Sequence, residues 1–423
     1  MTMKTASVFP KNKISFSRQG SRTFAKMSYP VHTGTYSEVE TDNHIFHFNL
    51  NQEIIRARSK KRSWHHPHEW LKRTMGDDWI YYSTGGYTGV FEATGEYYLP
   101  NFNYSSNSIL GGTPFRSPEI HELTTDWFHI LESCRENNLK DTESTNFYNN
   151  ILRNTPLYLK EKATAFHNII DGHISVLPPD ARHVEYHLIP IMISRGCLYK
   201  CRFCKVKNAL PFKELNHLQI DKQIEQMKYL YAADLANYNS IYLGEHDALM
   251  TGHKTILHAI NKAYNTLDLY TSYLDGLNCF FFGSATSLLE APAELFKELQ
   301  LLPGKVYINI GLESPDQSTL DQLGKPISTA QVRDSFKRIQ DLNNTYSTIE
   351  ISANFIMGAS LPPAHYQEVE KLIRDTQTHQ QAKGSIYFSP LTFDKPSRAR
   401  LFEFNRLKIM SRFPTYLYII QRL

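Results

Sequence analysis

Residues 184–391 predict an α/β fold, a partial (β/α)6 TIM-type barrel, with an N-terminal aromatic-rich accessory region before it. Three observations carry this expectation. Short β-type apolar runs alternate with segments of helical period, as repeated βα units with a parallel sheet require. The polar signatures of this stretch fall just after the apolar runs, at the C-terminal strand ends where such barrels place their chemistry. Residues 38–183 have a different texture, with clustered histidine, tyrosine and glycine.

Composition bounds the problem before any motif is read. A chain of 423 residues buries a large core, as one big domain or two. Hydrophobic content of 41% and charged content of 21% are ordinary for a soluble globular protein. No apolar run approaches the ~18 residues of a membrane span, so no membrane partner is expected. The net charge of +4 is too small to imply a nucleic-acid partner by itself. Residues 1–37 read as a basic, loosely ordered arm: Met1–Lys26 is rich in Lys, Arg and Ser, and Glu38 is the first acidic residue. The composition is that of a transit peptide, without its apolar helical face. Residues 38–183 are expected to pack on the barrel as an accessory region, and residues 392–423 to form a C-terminal helical extension.

The first strand, Tyr186–Ser194, runs directly into a cysteine loop. Ile220, Ile224, Met227 and Tyr231 then recur at helical spacing. Strand two is Ser240–Leu243, followed by a helix around Thr255–Thr266. Strand three is Cys279–Gly283. Its helix carries Leu295, Phe296, Leu299 and Leu302, with Pro292 near the first turn, where a missing N–H does no harm. Strand four is Val306–Ile310. The next helix opens on Ser328-Thr-Ala-Gln331, a capping-box pattern, and presents Val332, Phe336 and Ile339 on one face. Strand five is Ile349–Met357, a helix near His365–Thr376 follows, and strand six is Ser385–Phe388. Six such units make three quarters of an eight-unit barrel.

The loop after strand one holds Cys197, Cys201 and Cys204 in a C-x-x-x-C-x-x-C spacing with no fourth cysteine nearby. Three thiolates hold three irons of a [4Fe–4S] cube and leave the fourth iron open, whereas electron-transfer clusters close all four positions. A structural zinc site would need a fourth ligand, for which His217 is in range, and its cysteines usually come as two pairs. Three close cysteines cannot all form disulfides. The remaining two, Cys134 and Cys279, are isolated and cannot bind a second four-cysteine cluster. Such cysteine usage fits a reducing, cytoplasmic compartment.

With Phe203 just before the last cysteine, this loop resembles that of the radical S-adenosylmethionine (radical SAM) superfamily. The resemblance covers roughly residues 184–391 and strengthens at successive strand ends. It implies a [4Fe–4S] cluster on Cys197, Cys201 and Cys204, S-adenosyl-L-methionine chelated to the open iron, and a one-electron donor such as flavodoxin or ferredoxin. It further implies reductive cleavage to methionine and a 5′-deoxyadenosyl radical that abstracts hydrogen from a substrate.

After strand two, Gly244-Glu-His-Asp-Ala-Leu249 departs from the family's Gly-Gly-Glu and is closer to its Gly-Asp-Gly-Asn-Ala-Leu variant. Either Glu245 or His246 fills the contact to the methionine amino group, the alternative being a strand-end turn with solvated charges. Ser284, after strand three, is placed to hydrogen-bond the cofactor, though small polar residues are common in βα turns. Gly311-Leu-Glu-Ser314 matches a frequent family feature in which Glu313 accepts from ribose hydroxyls or the amino group. The alternative is a carboxylate at a helix N-terminus. Asn354-Phe-Ile-Met-Gly358 is similar to the adenine-packing Gly-x-Ile-x-Gly element, with Ile356 and Gly358 matched and Asn354 in place of the first glycine. Leu361 stands where an acidic residue is often found. Backbone around Ser389 pairs with the adenine edge in this reading, and Phe203 packs near the adenine.

The substrate is unknown. No cysteine-rich extension, N-terminal cysteine triplet, cobalamin-binding domain or catalytic cysteine pair is apparent, which leaves rearrangement, elimination, dehydrogenation or macromolecule modification. Nucleic acid is a possible partner through the basic run Arg56–Arg62 and the many aromatics, but a solvated basic loop is the favoured reading. A non-catalytic zinc- or cluster-bearing interaction protein is the third alternative. His65, His66 and His68 form a histidine cluster that Pro67 and its polar flanks assign to a surface loop. Asp77–Tyr98, rich in aromatics and glycine, is expected to pack near the strand ends and to line part of the substrate cavity.

Overall fold

A computed structural model describes residues 13–24, 32–64, 69–83, 118–138, 142–172, 176–204, 210–375, 383–390 and 398–418. The N-terminal part is a six-stranded antiparallel sheet in sequential order: β1 (Lys13–Gln19), β2 (Thr35–Glu40), β3 (His44–Phe48), β4 (Ile54–Ser59), β5 (Glu69–Arg73) and β6 (Trp79–Ser83). The expected hairpin over His44–Arg58 is β3–β4, turning at residues 49–53. One face is apolar. Val39, Phe46, Phe48 and Leu71 pack there against Ile120, Leu123, Leu131 and Tyr148. These come from α1 (Pro118–Thr125), α2 (Trp127–Asn138) and α3 (Thr142–Ile151), followed by α4 (Pro156–Ile170).

Two expectations for this region need correction. Lys13–Gln19, expected in a loosely ordered arm, is strand β1, paired with β2. Phe16 meets Phe147 edge to face at 5.2 Å, and Arg18 pairs with Glu38. The run Arg56–Arg62 is not a solvated basic loop. Arg56 is buried, Lys60 pairs with Glu40 and Lys61 with Glu122. Residues 65–68 and 84–98, which carry the histidine cluster and most of the Gly/Tyr-rich piece, lie outside the described residues.

The second part is a parallel sheet in a partial (β/α) barrel. β7 (Ile189–Met192) leads into a two-residue ladder of β8 (Ser194–Arg195) and β9 (Lys213–Glu214). Beyond β7 the main sheet adds β10 (Ser240–Gly244), β11 (Asn278–Ser284), β12 (Lys305–Glu313), β13 (Ile349–Met357), β14 (Ile386–Pro390) and β15 (Thr415–Leu417), in that order. All its ladders are parallel. The crossovers carry α5 (His217–Tyr231), α6 (His253–Thr266), α7 (Ala285–Glu290), α8 (Ala293–Leu301), α9 (Gln317–Leu323), α10 (Thr329–Thr345), α11 (Pro363–Asp375) and α12 (Arg398–Met410).

The strands are near-continuously buried, as a sheet covered on both faces demands. Three helices match their sequence patterns closely. Ile220, Ile224 and Met227 of α5, Leu295, Phe296 and Leu299 of α8, and Val332, Phe336 and Ile339 of α10 are buried. Ser328 and Gln331 close the capping box of α10. The first strand begins later than Tyr186 because Glu185 and Tyr186 adopt left-handed backbone, with φ 54° and 58°. β15, after α12, is a seventh strand absent from the sequence reading. Among the described residues, no helix is long and apolar enough to cross a membrane.

Asp180 closes the N-terminal end of the barrel. It accepts hydrogen bonds from Ser352 of β13 and, at 2.9 Å, from Tyr387 of β14. Burial pushes its carboxyl up to about 7. A carboxyl whose folded pKa lies above its unfolded ~3.9 binds more protons when folded, so stability falls as pH rises between about 4 and 7. We predict that Asp180→Asn flattens this part of the dependence of Tm on pH, read from thermal unfolding across that window.

Candidate active site

β7 delivers the cysteine loop to the C-terminal end of the sheet. Gly196, at φ 70°, makes the crossing possible, since a Cβ there would stand 2.4 Å from the Pro211 carbonyl oxygen. The loop is tied down on two sides. Tyr199 hydroxyl meets Thr286 Oγ1 at the start of α7. Arg202 N–H donates to Leu323 O at 2.8 Å, and its side chain lies against Gly324, whose left-handed φ of 65° ends α9.

Cys197, Cys201 and Cys204 are all free thiols, and Cys201 is buried. Burial pushes the Cys201 thiol up to about 11 and also raises Cys197. Thiolates at these positions therefore call for a bound cation to offset their charge. Among the described residues, the only three-membered set of potential metal donors within 4.8 Å of one another is Asp180, His183 and Glu350, at the opposite end of the barrel. The three sulfurs are thus spread wider than that. One tetrahedral zinc, with bonds of about 2.3 Å, would draw them to roughly 3.8 Å. A wider spread fits a cube, where each thiolate has its own iron. His217, the potential fourth zinc ligand, stacks on His258 with ring centroids 3.9 Å apart.

Below the loop, Glu313 and Lys325 form a buried ion pair of 2.9 Å. Lys325 also donates to Gly311 O at 2.7 Å, and its ammonium lies 5.7 Å from the Tyr199 ring centroid. The other carboxylate oxygen of Glu313 takes Asn354 Nδ2 at 3.3 Å, and Asn354 Oδ1 accepts Ser389 Oγ at 2.8 Å. A polar chain thereby crosses the ends of β12, β13 and β14. Asn354, the departure from the family's glycine, is its middle link.

At the end of β10, Glu245 and His246 approach each other at 3.4 Å. Burial lowers the His246 pKa, so its ring is neutral. The next residue, Asp247, is more deeply buried. One carboxylate oxygen takes Ser287 Oγ at 2.7 Å and Ser284 N at 3.2 Å. The other has no partner among the described residues, and burial raises the pKa. Ser284 itself caps α7, its hydroxyl accepting from Ser287 N at 3.0 Å.

Phe203 packs with Ile356, Leu323, Leu361 and Tyr366 in one apolar cluster at the end of β13. Tyr366 hydroxyl donates to Gly358 O and accepts from Gly358 N, at 2.9 and 3.0 Å. His365, pushed down to about 4 by burial, is neutral and bridges Ser314 and Ile356 O. The structure thus brings Phe203, Ile356 and Gly358 together, and Glu313 with Ser389. Sequence reasoning missed Lys325 and Asp247. Asp247 lay inside the motif already singled out. Lys325 had no signal beyond its place after the Leu323-Gly324 helix end.

Residues 191–375 match the family profile described as the radical SAM superfamily. The chain is 23% identical over 259 residues to bacteriochlorophyllide d C-8(2)-methyltransferase of Chlorobaculum tepidum. That match covers 60% of this chain and 51% of the relative, so the chain spans about half the length of that protein. Among solved structures, a radical SAM methyltransferase from Sphaerobacter thermophilus aligns with TM-score 0.38 and 13% identity, covering 54% of this chain and 65% of that one. Methylornithine synthase aligns with TM-score 0.33 and 11% identity, covering 67% and 74%.

The cysteine assignment has a direct test. Anaerobic reconstitution is expected to give about four iron and four sulfide per chain. Cys197→Ala, Cys201→Ala and Cys204→Ala are each expected to abolish this. Cys279→Ala, in the core at β11, is expected to lower stability by ~1 kcal/mol or more while keeping full iron content. Iron analysis together with thermal unfolding separates the two effects, and a cluster surviving loss of Cys201 refutes the assignment.

Proposed function

The chain belongs to the radical SAM superfamily, whose enzymes use a [4Fe–4S] cluster and S-adenosylmethionine, and from that premise we propose that it cleaves this cofactor reductively to abstract hydrogen from a substrate still to be identified. The supporting observation is the loop of Cys197, Cys201 and Cys204, tied to Thr286 and Leu323 at the ends of neighbouring barrel elements. When bound, the two cofactors supply a carbon-centred radical. The chain's residues position them and exclude water.

In this reading the three cysteines hold the cluster. Glu313, fixed by Lys325 and Asn354, offers its remaining lone pairs to ribose hydroxyls without moving. Asp247 takes the contact to the methionine ammonium that Glu245 or His246 was expected to make. Its unpartnered buried oxygen needs a donor, and a cation relieves the burial of its charge. Phe203 and Ile356 bracket the adenine, and the backbone at Gly358 and Ser389 borders it. Ser284 acts indirectly, by orienting α7 and Asp247. A flavodoxin- or ferredoxin-type donor supplies the electron.

Two measurements test this. With dithionite, the reconstituted protein is expected to yield methionine and 5′-deoxyadenosine, and a deuterated substrate to transfer label into the latter. Kinship to a methyltransferase makes S-adenosylhomocysteine a product to follow in the same assay; its formation with substrate would assign methyl transfer. Asp247→Asn and Glu313→Gln are each expected to weaken S-adenosylmethionine binding by about tenfold, from loss of a charged contact worth roughly 1.5–3 kcal/mol. Unchanged affinity in Asp247→Asn returns the ammonium contact to Glu245 or His246.

A further inference from the structure

The face of the N-terminal sheet turned away from its helices is charged and covered by the barrel. Strand register places Glu38, His47, Arg56 and Lys72 in one row across β2, β3, β4 and β5. Arg56 and Lys72 face each other directly, and each is only 2% exposed. Like charges opposed across a ladder are destabilising. In the next row Arg58 lies 5.1 Å from the Trp70 ring centroid. The floor is the segment before β7. His187 Nε2 stands 3.4 Å from the Arg56 guanidinium, and the Glu185 carbonyl takes the Lys72 ammonium at 2.9 Å.

Several buried polar atoms here have no partner among the described residues: Nε of Arg56, Nε of Arg58 and Nε1 of Trp70, together with Nδ1 of His32 and of His47. The charges do not balance either. Arg18, Arg56, Arg58, Lys60 and Lys72 meet the carboxylates Glu38, Glu40 and Glu185. Glu38 is committed to Arg18 and His47, and Glu40 to Lys60. Burial and the neighbouring guanidiniums keep His32 and His47 neutral. Beside Lys72 and His187 lies a cavity of about 80 Å³, also lined by Tyr186 and Tyr238. On its other walls, Glu53 is paired with Lys162, and Asp234 accepts from Asn49 and Asn237. A water molecule would satisfy a stray N–H but would leave the excess positive charge in place.

We propose that this interface binds a phosphate group, free or carried by a small metabolite, between Arg56, Arg58 and Lys72, with Trp70 Nε1 as a neutral donor. Guanidinium forks suit oxyanions, and an anion here removes the Arg56–Lys72 repulsion. The site adjoins the N-terminal end of β7, opposite the end that carries the cysteine loop. Its ligand is therefore an effector or a structural anion, not the molecule that loses hydrogen.

The test uses the full chain and inorganic phosphate. Wild-type Tm is expected to rise saturably with phosphate, by about 2 °C or more over sodium chloride of equal ionic strength. Sulfate is expected to act like phosphate, and acetate not to. Arg56→Met is expected to lose the saturable rise while unfolding, in phosphate-free buffer, at or above the wild-type Tm, because it removes a buried uncompensated charge. Absence of a phosphate-specific shift in the wild type, a full shift in Arg56→Met, or an equal effect of acetate overturns the proposal. If Arg56→Met does not fold, Trp70→Phe, which keeps the packing and loses the N–H, is expected to raise the phosphate midpoint about threefold or more. An unchanged midpoint there overturns it as well.

Discussion

The buried pair of Glu313 and Lys325 is the constraint on which the strand-end architecture rests. Taking two charges out of water costs several kcal/mol per ion, and their mutual attraction roughly offsets that only when every remaining hydrogen-bonding position is used. Here most are: Lys325 also holds the Gly311 carbonyl, and Glu313 also holds Asn354. The backbone adapts to allow it. β12 bulges between Gly311 and Glu313, and Glu313 takes a left-handed φ of 64°. Lys325 follows the glycine that ends α9, and that same helix end receives the Arg202 N–H of the cysteine loop. Loss of either charge would strand the other in the interior, at a cost of about 3–5 kcal/mol, and would loosen the loop's seat.

The two ends of the barrel solve different problems with similar means. At the C-terminal end, polar groups are fixed but keep spare capacity, as with the free oxygen of Asp247. At the N-terminal end, Asp180, Ser352, Tyr387 and Arg182 satisfy one another. Aromatic stacking extends that plug: His183 lies on Tyr307, and Tyr307 on Phe280. Saturated networks rigidify, whereas partly satisfied ones leave a role for a ligand. By this criterion the chemistry belongs at the loop end and support at the other.

How much was legible in the sequence follows from which signals are local. β13 was delimited to the residue, because Ile349–Met357 is a long apolar run bounded by polar turns. The capping box of α10 and the buried stripes of α5 and α8 are likewise local patterns. The cysteine spacing was legible because it is confined to eight residues. What escaped was non-local. Lys325 matters only because a bulge twelve residues earlier turns Glu313 toward it. β15 is three residues long and is specified by pairing with β14 across an intervening helix. Asp247 was passed over for Glu245 and His246, since burial, not residue type, distinguishes the three.

The N-terminal sheet carries the sharpest mismatch, and its cause is instructive. Arg56, Arg58, Lys60, Lys61 and Arg62 read as a solvated basic loop because charge density alone suggests exposure. In a strand, alternation sends Arg56 and Arg58 to one face whatever their charge. The apolar face of this sheet already has α1, α2 and α3 to cover it. The charged face is therefore the one left to meet the barrel, through Arg56 with His187 and Lys72 with Glu185. An interface of that kind gains little from apolar burial. Its stability follows from how its charges are neutralised, so that the contact between sheet and barrel is sensitive to whatever anion it holds. A hydrophobic interface would have fixed the two parts irrespective of solution composition, and this one makes their association responsive to it.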